Sequence, residues 1–230
     1  MASGTVGGGS GTCSVEYNFM GHRIRVLLSF GSDGLIATLS AHNVPQRTIL
    51  LKNPVKHCRN CGTAVLMRLP DDGDTRQRAV CPACHTVHYD NPLNVVGTIP
   101  VWGTQVLLCK RNIEPRKGFW TLPAGFMELH ESLAQGAARE TDEEAGAQFE
   151  MQALFTLIDV PKVGQVHFFF LAKLQSDQFN PGHETMEAKL FEEADIPWDD
   201  LAFRTVRETL KTFYADRASG EFGFHQFVIS

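Results

Sequence analysis

Two Cys-x-x-Cys pairs, Cys58/Cys61 and Cys81/Cys84, lie nineteen residues apart, and no other feature of the chain restricts its fold as strongly. Each pair brings two thiolates onto one tight turn, and two such turns complete a tetrahedral four-sulfur shell around a single Zn2+, closed to water and therefore structural. The segment between them, GTAVLMRLPDDGDTRQRAV, offers an apolar run, a turn and a return run, as two metal-sharing hairpins require. Two disulfides are the alternative, but a disulfide scaffold belongs to small secreted domains, and this chain has 230 residues. His57, His85 and His88 flank the pairs, yet four sulfurs already fill the shell. The expectation is Zn2+ held by Cys58, Cys61, Cys81 and Cys84 in a reducing compartment.

Around this unit the chain divides into three expected parts. Residues 1–53 form an unassigned N-terminal extension, beginning with the Gly/Ser-rich MASGTVGGGSG, which reads as flexible. Within it, RIRVLLSF, GSDG and LIATLS read as a hairpin. The scarcity of acids there also fits an organellar transit peptide, the alternative to a cytoplasmic location. Residues 54–92, bounded by Pro54 and Pro92, hold the cysteine pairs as a small zinc ribbon. Residues 93–230 carry an α/β pattern. NVVGTIPVW and QVLLCKR are apolar strand-like runs joined at Gly103-Thr104, FEMQALFTLIDV and QVHFFFLAKL are two more, and a short strand is expected near Ala188–Phe191. A helix is marked by Ser132 as N-cap, Gln135 completing a capping box and Gly146 as its stop, with Leu133, Ala134, Ala137, Ala138, Thr141 and Ala145 as its buried face. A last helix places Phe203, Val206, Leu210 and Phe213 on one stripe. Helices alternating with strands predict a mixed sheet covered on both faces, an α/β/α sandwich.

Charge excludes some functions. The formal net charge is −5, and the ribbon sets Arg59, Arg68, Arg76 and Arg78 against Asp71, Asp72, Asp74 and Asp90. Neither value makes the basic footprint of a protein that coats nucleic acid. No apolar run approaches the ~20 residues that cross a bilayer as a helix, so no membrane partner is expected.

The capped helix bears the chemistry. Glu140, Glu143 and Glu144 stand at i, i+3 and i+4, so their carboxylates share one face near the helix C-terminus, where the macrodipole disfavours anions. An acidic solvated face with an Arg139–Glu143 ion pair is the ordinary reading of such a run. A hard divalent cation removes both the mutual repulsion and the dipole penalty, and Mg2+ is held by a few carboxylates together with water and substrate phosphate. Lys110, Arg111, Arg116 and Lys117 lie upstream, suited to phosphate oxygens.

The segment GFMELHESLAQGAARETDEEAGA resembles the Nudix box, Gly-x5-Glu-x7-Arg-Glu-U-x-Glu-Glu-x-Gly-U with U a bulky aliphatic, through Gly125, Glu131, Arg139, Glu140, Glu143, Glu144 and Gly146. Thr141 and Ala147 depart from it, both smaller than the usual U residue. The ribbon followed by NPLNVVG, the run VLLCKRNIEPRKGFWTLPAGFME and the later LAFRTVRETL resemble the zinc-ribbon branch that includes the plant and bacterial FAD/ADP-ribose diphosphatases. NADH pyrophosphatases of the superfamily carry an SQPWPFPxS segment after the box, and nothing like it follows Gly146 here. The resemblance implies a Nudix fold and metal-dependent hydrolysis of a pyrophosphate in a nucleoside diphosphate linked to another group, with FAD and ADP-ribose ahead of NADH or NAD-capped RNA. A non-catalytic nucleotide sensor or nucleic-acid module is the competing class, but it would normally have lost a box carboxylate. The resemblance further implies Glu140, Glu143 and Glu144 as Mg2+ or Mn2+ ligands, Arg139 orienting them, and Glu131 either pairing with Arg139 or reaching a metal through water. Either a box residue such as Glu143 or a later loop glutamate, Glu187 with Glu184 behind it, would be the general base. Arg111, Trp120, Gly125 and Phe126 are the expected substrate-binding positions, with a nucleotide as the small-molecule partner and a homodimer as the assembly many relatives adopt.

Overall fold

The computed structural model describes residues 12–19, 22–31, 34–40 and 54–230. The flexible Gly/Ser start expected at residues 1–11 lies outside the described residues. Strands β1 (Thr12–Phe19), β2 (His22–Gly31) and β3 (Gly34–Ser40) form an antiparallel sheet in a unit of its own. The expected hairpin is the β2–β3 pair, closed at Gly31↔Gly34; β1 adds a third strand that the sequence reading did not mark.

In the second unit the ribbon comes first. β4 (Leu66–Arg68), β5 (Arg78–Val80) and β6 (Val87–His88) make a small antiparallel sheet. Its turns are fixed locally: Asp74 accepts from the Arg76 backbone N–H at 2.9 Å and from Arg78 Nε at 2.7 Å, so the DDGD segment closes on its own strand.

The main sheet follows from the apolar runs. β7 (Leu93–Trp102), β8 (Gln105–Arg111), β11 (Phe149–Val160), β12 (Gln165–Leu174), β13 (Thr185–Phe191) and β14 (His225–Val228) lie in the order β13-β8-β7-β12-β11-β14. Short strands β9 (Trp120–Thr121) and β10 (Ala124–Phe126) pair with β8 and β7. β7 runs parallel to β12, and β11 runs parallel to β14; the other pairs are antiparallel. This is the mixed sheet that the alternating elements predict.

Period-two alternation sends successive side chains of β7 to opposite faces. Ile99 joins Val106, Leu108, Phe155 and Phe169 beneath α2 (Arg204–Ser219), which contributes Val206, Leu210, Phe213 and Tyr214. Val96 meets Ala137 of α1 (Leu133–Ala145) on the other face. The two helices therefore cover the two faces, giving an α/β/α sandwich. The ends of α1 are those written in the sequence. Ser132 Oγ accepts from the Gln135 N–H, Gln135 returns the bond to the Ser132 N–H, and Gly146 ends the helix in the left-handed conformation at φ 56°.

Candidate active site

The four cysteine sulfurs all lie within 4.8 Å of one another. Cys58 Sγ is 3.6 Å from Cys84 Sγ, and Cys61 Sγ is 3.4 Å from Cys81 Sγ. Four thiolates at the usual Zn–S distance of about 2.3 Å on a tetrahedron stand about 3.8 Å apart, so the cluster fits a structural Zn2+. All four thiols are free, not paired as disulfides. Cys58 and Cys81 are buried, Cys84 is half-buried and Cys61 is exposed; four sulfurs fill a tetrahedral shell and leave no open coordination position for chemistry.

The second constellation is built on α1 and β10. Arg139 is its hub. Its Nε and Nη2 donate to the two carboxylate oxygens of Glu131 at 3.1 and 2.9 Å, and Nη1 donates to Glu140 at 2.8 Å and Glu143 at 3.1 Å. Nη2 also reaches the Phe126 carbonyl at 3.1 Å, tying the helix to the strand before it. This surrounds the guanidinium with three carboxylates and raises its pKa, Glu131 contributing most. In return Arg139 holds the Glu131 carboxyl below the usual carboxylate range. Glu140 lies against Gly125: a methyl group on that glycine would sit 2.3–2.4 Å from the Glu140 carboxylate. The box glycine is thus the space into which a carboxylate fits.

Glu144 is buried and accepts from the Ala124 N–H at 2.9 Å. Burial pushes its carboxyl up to about 7, the Ala124 bond opposes this, and the negative charge of Glu140 adds to it. Glu143 remains largely exposed. Among the described residues only the cysteines bring three or more potential ligand atoms within 4.8 Å of one another. Glu140, Glu143 and Glu144 are spread more widely, an arrangement in which water and substrate oxygens would complete the shell of a divalent cation.

Thr141 and Ala147, the two departures from the box, each have a structural counterpart. Thr141 Oγ1 lies 2.7 Å from Thr98 Oγ1 on β7 and donates to the Ala137 carbonyl, so a buried hydroxyl pair replaces aliphatic contact. Ala147 packs in a cluster with Leu107, Cys109 and Leu174 to which Phe179 adds its ring, filling space beside the smaller residue.

The expected loop glutamate is displaced by a register change. A bulge in β13 sets Thr185 opposite Arg111 but Glu187 opposite Lys110. Ala188, opposite Cys109, packs with it in the cluster on the α1 side, so its neighbour Glu187 points to the other face. Glu184, at the end of the loop before the bulge, is the acid whose charge reaches both Glu140 and Glu144. Its backbone carbonyl accepts from the Asn112 N–H at 2.7 Å.

Trp120 also differs from expectation. It is 9% exposed, packs edge-on to Phe191 with centroids 4.9 Å apart, and lies under the Lys110 ammonium at 5.6 Å. A ring enclosed on these sides is core, and its face is not open to a base. Phe126, 51% exposed and adjacent to the Arg139 network, is open. Arg111 is buried, donates Nε to the Pro115 carbonyl at 2.9 Å, packs its guanidinium over Phe203, and feels the charges of Glu144 and Glu184. Cys109 of β8 and His167 of β12 are buried strand residues.

The NUDIX domain model matches residues 92–215, and the "Nudix N-terminal" zinc-ribbon model matches residues 56–90. A Nudix hydrolase structure from Nitrosomonas europaea is 50% identical, with a TM-score of 0.73 over 76% of this chain and 99% of that one. Among curated proteins, an NAD-capped RNA hydrolase NudC of Photobacterium profundum is 26% identical over 70% of this chain and 60% of its own length. An ADP-ribose pyrophosphatase of Methanocaldococcus jannaschii is 28% identical over half of this chain and 69% of its own length. The chain spans 54–62% of the lengths of the NudC relatives it matches. With the ribbon, the mixed sheet and every charged box position arranged as described, the chain belongs to the Nudix hydrolase family.

Proposed function

We propose that this chain hydrolyses the pyrophosphate of an ADP-linked compound with Mg2+ or Mn2+, ADP-ribose and FAD ahead of NADH. The observation that carries this reading is the ordering of three box carboxylates, Glu140 and Glu143 by Arg139 and Glu144 by the Ala124 N–H. A divalent ion held by Glu140, Glu143 and Glu144 would neutralise pyrophosphate charge and lower the pKa of the attacking water. Arg139 keeps the carboxylates in place, and the Ala124 N–H fixes Glu144. Glu184 takes the proton from water as its oxygen bonds to one phosphorus, and the bridging P–O bond breaks to leave AMP and the second phosphate product. Arg111 contributes positive charge beside the developing negative charge. Phe126 offers its exposed ring to the base.

The substrate order rests on the segment after the box. Residues 147–160 continue directly into β11 with no SQPWPFPxS-like sequence. The NudC relatives support NAD-capped RNA as a second reading. A hydrolysis panel of ADP-ribose, FAD, NADH and NAD-capped RNA with each metal tests both. Preference for ADP-ribose or FAD supports the first. A tenfold or greater advantage for NADH or capped RNA, about 1.4 kcal/mol of transition-state preference, replaces it with the second.

A further inference from the structure

The loop of residues 175–184 is fastened to the box helix along its length. Its first residue, Gln175, donates its backbone N–H to the Gln148 carbonyl at 2.8 Å, and the Asn180 N–H reaches the Ala145 carbonyl at 3.0 Å. The fit is close enough that a methyl group on Gly146 would sit 2.3 Å from the Asn180 carbonyl oxygen, and one on Gly182 would sit 2.2 Å from that of Glu143. Phe179 anchors the loop in the cluster beneath α1. The far end of the loop, which delivers Glu184, is held by Asn112, the residue after β8. Asn112 donates its backbone N–H to the Glu184 carbonyl at 2.7 Å and its side-chain Nδ2 to the His183 carbonyl at 2.9 Å. His183 itself is almost fully exposed, with a 3.7 Å contact to the Glu184 carboxylate, so its side chain does not anchor this end.

We infer that Asn112 is a positioning residue for hydrolysis: its side-chain amide fixes the His183–Glu184 backbone and so aims the Glu184 carboxylate at the box carboxylates. The inference rests on the reading of Glu184 as the group that takes the water proton. Asn112 directly follows Arg111, the buried cation that ends β8, so two consecutive residues set the position of a cation and of an acid. The β13 register past the bulge is held by ladder bonds that do not involve the Asn112 side chain. Loss of the amide therefore loosens the loop end while the sheet persists.

The test is a double-mutant cycle of Asn112→Ala and Glu184→Gln in the full chain, with kcat and KM for the best panel substrate and Mn2+ affinity by electron paramagnetic resonance. Glu184→Gln should lower kcat by about a hundredfold or more, the scale of a lost general base. Asn112→Ala should lower kcat about five- to twentyfold with KM and Mn2+ affinity within twofold of the parent, since a misaimed base slows chemistry without weakening binding. The double variant should match Glu184→Gln within twofold, because aiming a group that is absent has no value. If Glu184→Gln is slow but Asn112→Ala retains full turnover, or the two losses multiply, Asn112 does not act through Glu184. If Glu184→Gln keeps most of its turnover, the reading of Glu184 fails and the inference falls with it.

Discussion

Gly125→Ala isolates the geometry of the box from its composition. Gly125 is in β10 and its φ lies outside the left-handed region, so alanine meets no backbone strain. The added Cβ would meet the Glu140 carboxylate at 2.3–2.4 Å, whereas ordinary contact begins near 3.4 Å. The obstacle is the free end of a side chain, so it gives way by about 1 Å, and fold stability should change by less than about 1 kcal/mol. That movement draws Glu140 from the Arg139 Nη1 now 2.8 Å away. A displacement of about 1 Å at a reacting constellation costs on the order of a hundredfold in rate. The expected result is a melting temperature within a few degrees of the parent with kcat reduced about a hundredfold at saturating Mg2+. Turnover within threefold of the parent would show that the Glu140–Gly125 packing does not set the catalytic geometry.

The remaining predictions concern metal, acid and aromatic residues. Purified protein should carry about one zinc per chain, and Cys81→Ser should unfold the ribbon, since structural zinc contributes about 10–16 kcal/mol of binding to folding in small domains; zinc-free protein with full stability overturns this. Burial lowers the His167 pKa from 6.5 to about 4, so the folded state excludes a proton that the unfolded chain accepts. The associated stability is complete above pH 6.5 and is lost as pH falls toward 4, about 3 kcal/mol in all. His167→Phe should flatten the fall in denaturation midpoint between pH 7 and 4.5, and an unchanged slope refutes the assignment. Trp120→Ala should cost about 3–5 kcal/mol of stability as a core truncation, whereas Phe126→Ala should leave stability unchanged and weaken substrate binding by about 1–3 kcal/mol. Reversed outcomes in calorimetry and KM would place Trp120, not Phe126, against the base.

What the sequence disclosed was whatever is encoded locally. The capping box at Ser132 and Gln135 and the left-handed stop at Gly146 are short-range hydrogen-bond geometries, and α1 begins and ends there. The cysteine spacing is likewise a property of two tight turns. What stayed hidden depends on alignment between distant strands. A single bulge in β13 sets Thr185 opposite Arg111 while Glu187 stands opposite Lys110, on the face away from the box helix, and no local pattern announces it. Trp120 has the same neighbours in sequence whether it lines a site or a core; Phe191 and Lys110, seventy-one and ten residues away, determine which. The short β14, a parallel partner for β11, follows α2 with too few apolar residues to stand out.

The buried Thr98–Thr141 pair also bears on how this box could evolve. A drift of Thr141 toward the aliphatic residue usual at that position removes the hydroxyl 2.7 Å from Thr98 and leaves a fully buried polar group without that partner, a cost of about 1–3 kcal/mol. Changing both to valine removes the two hydroxyls together and is close to neutral by the same reasoning. The two sequences are therefore neighbouring peaks separated by an unfavourable intermediate. Lineages that carry threonine at one position should keep it at the other, and mutational scans at single positions will report as intolerant a site that accepts paired change.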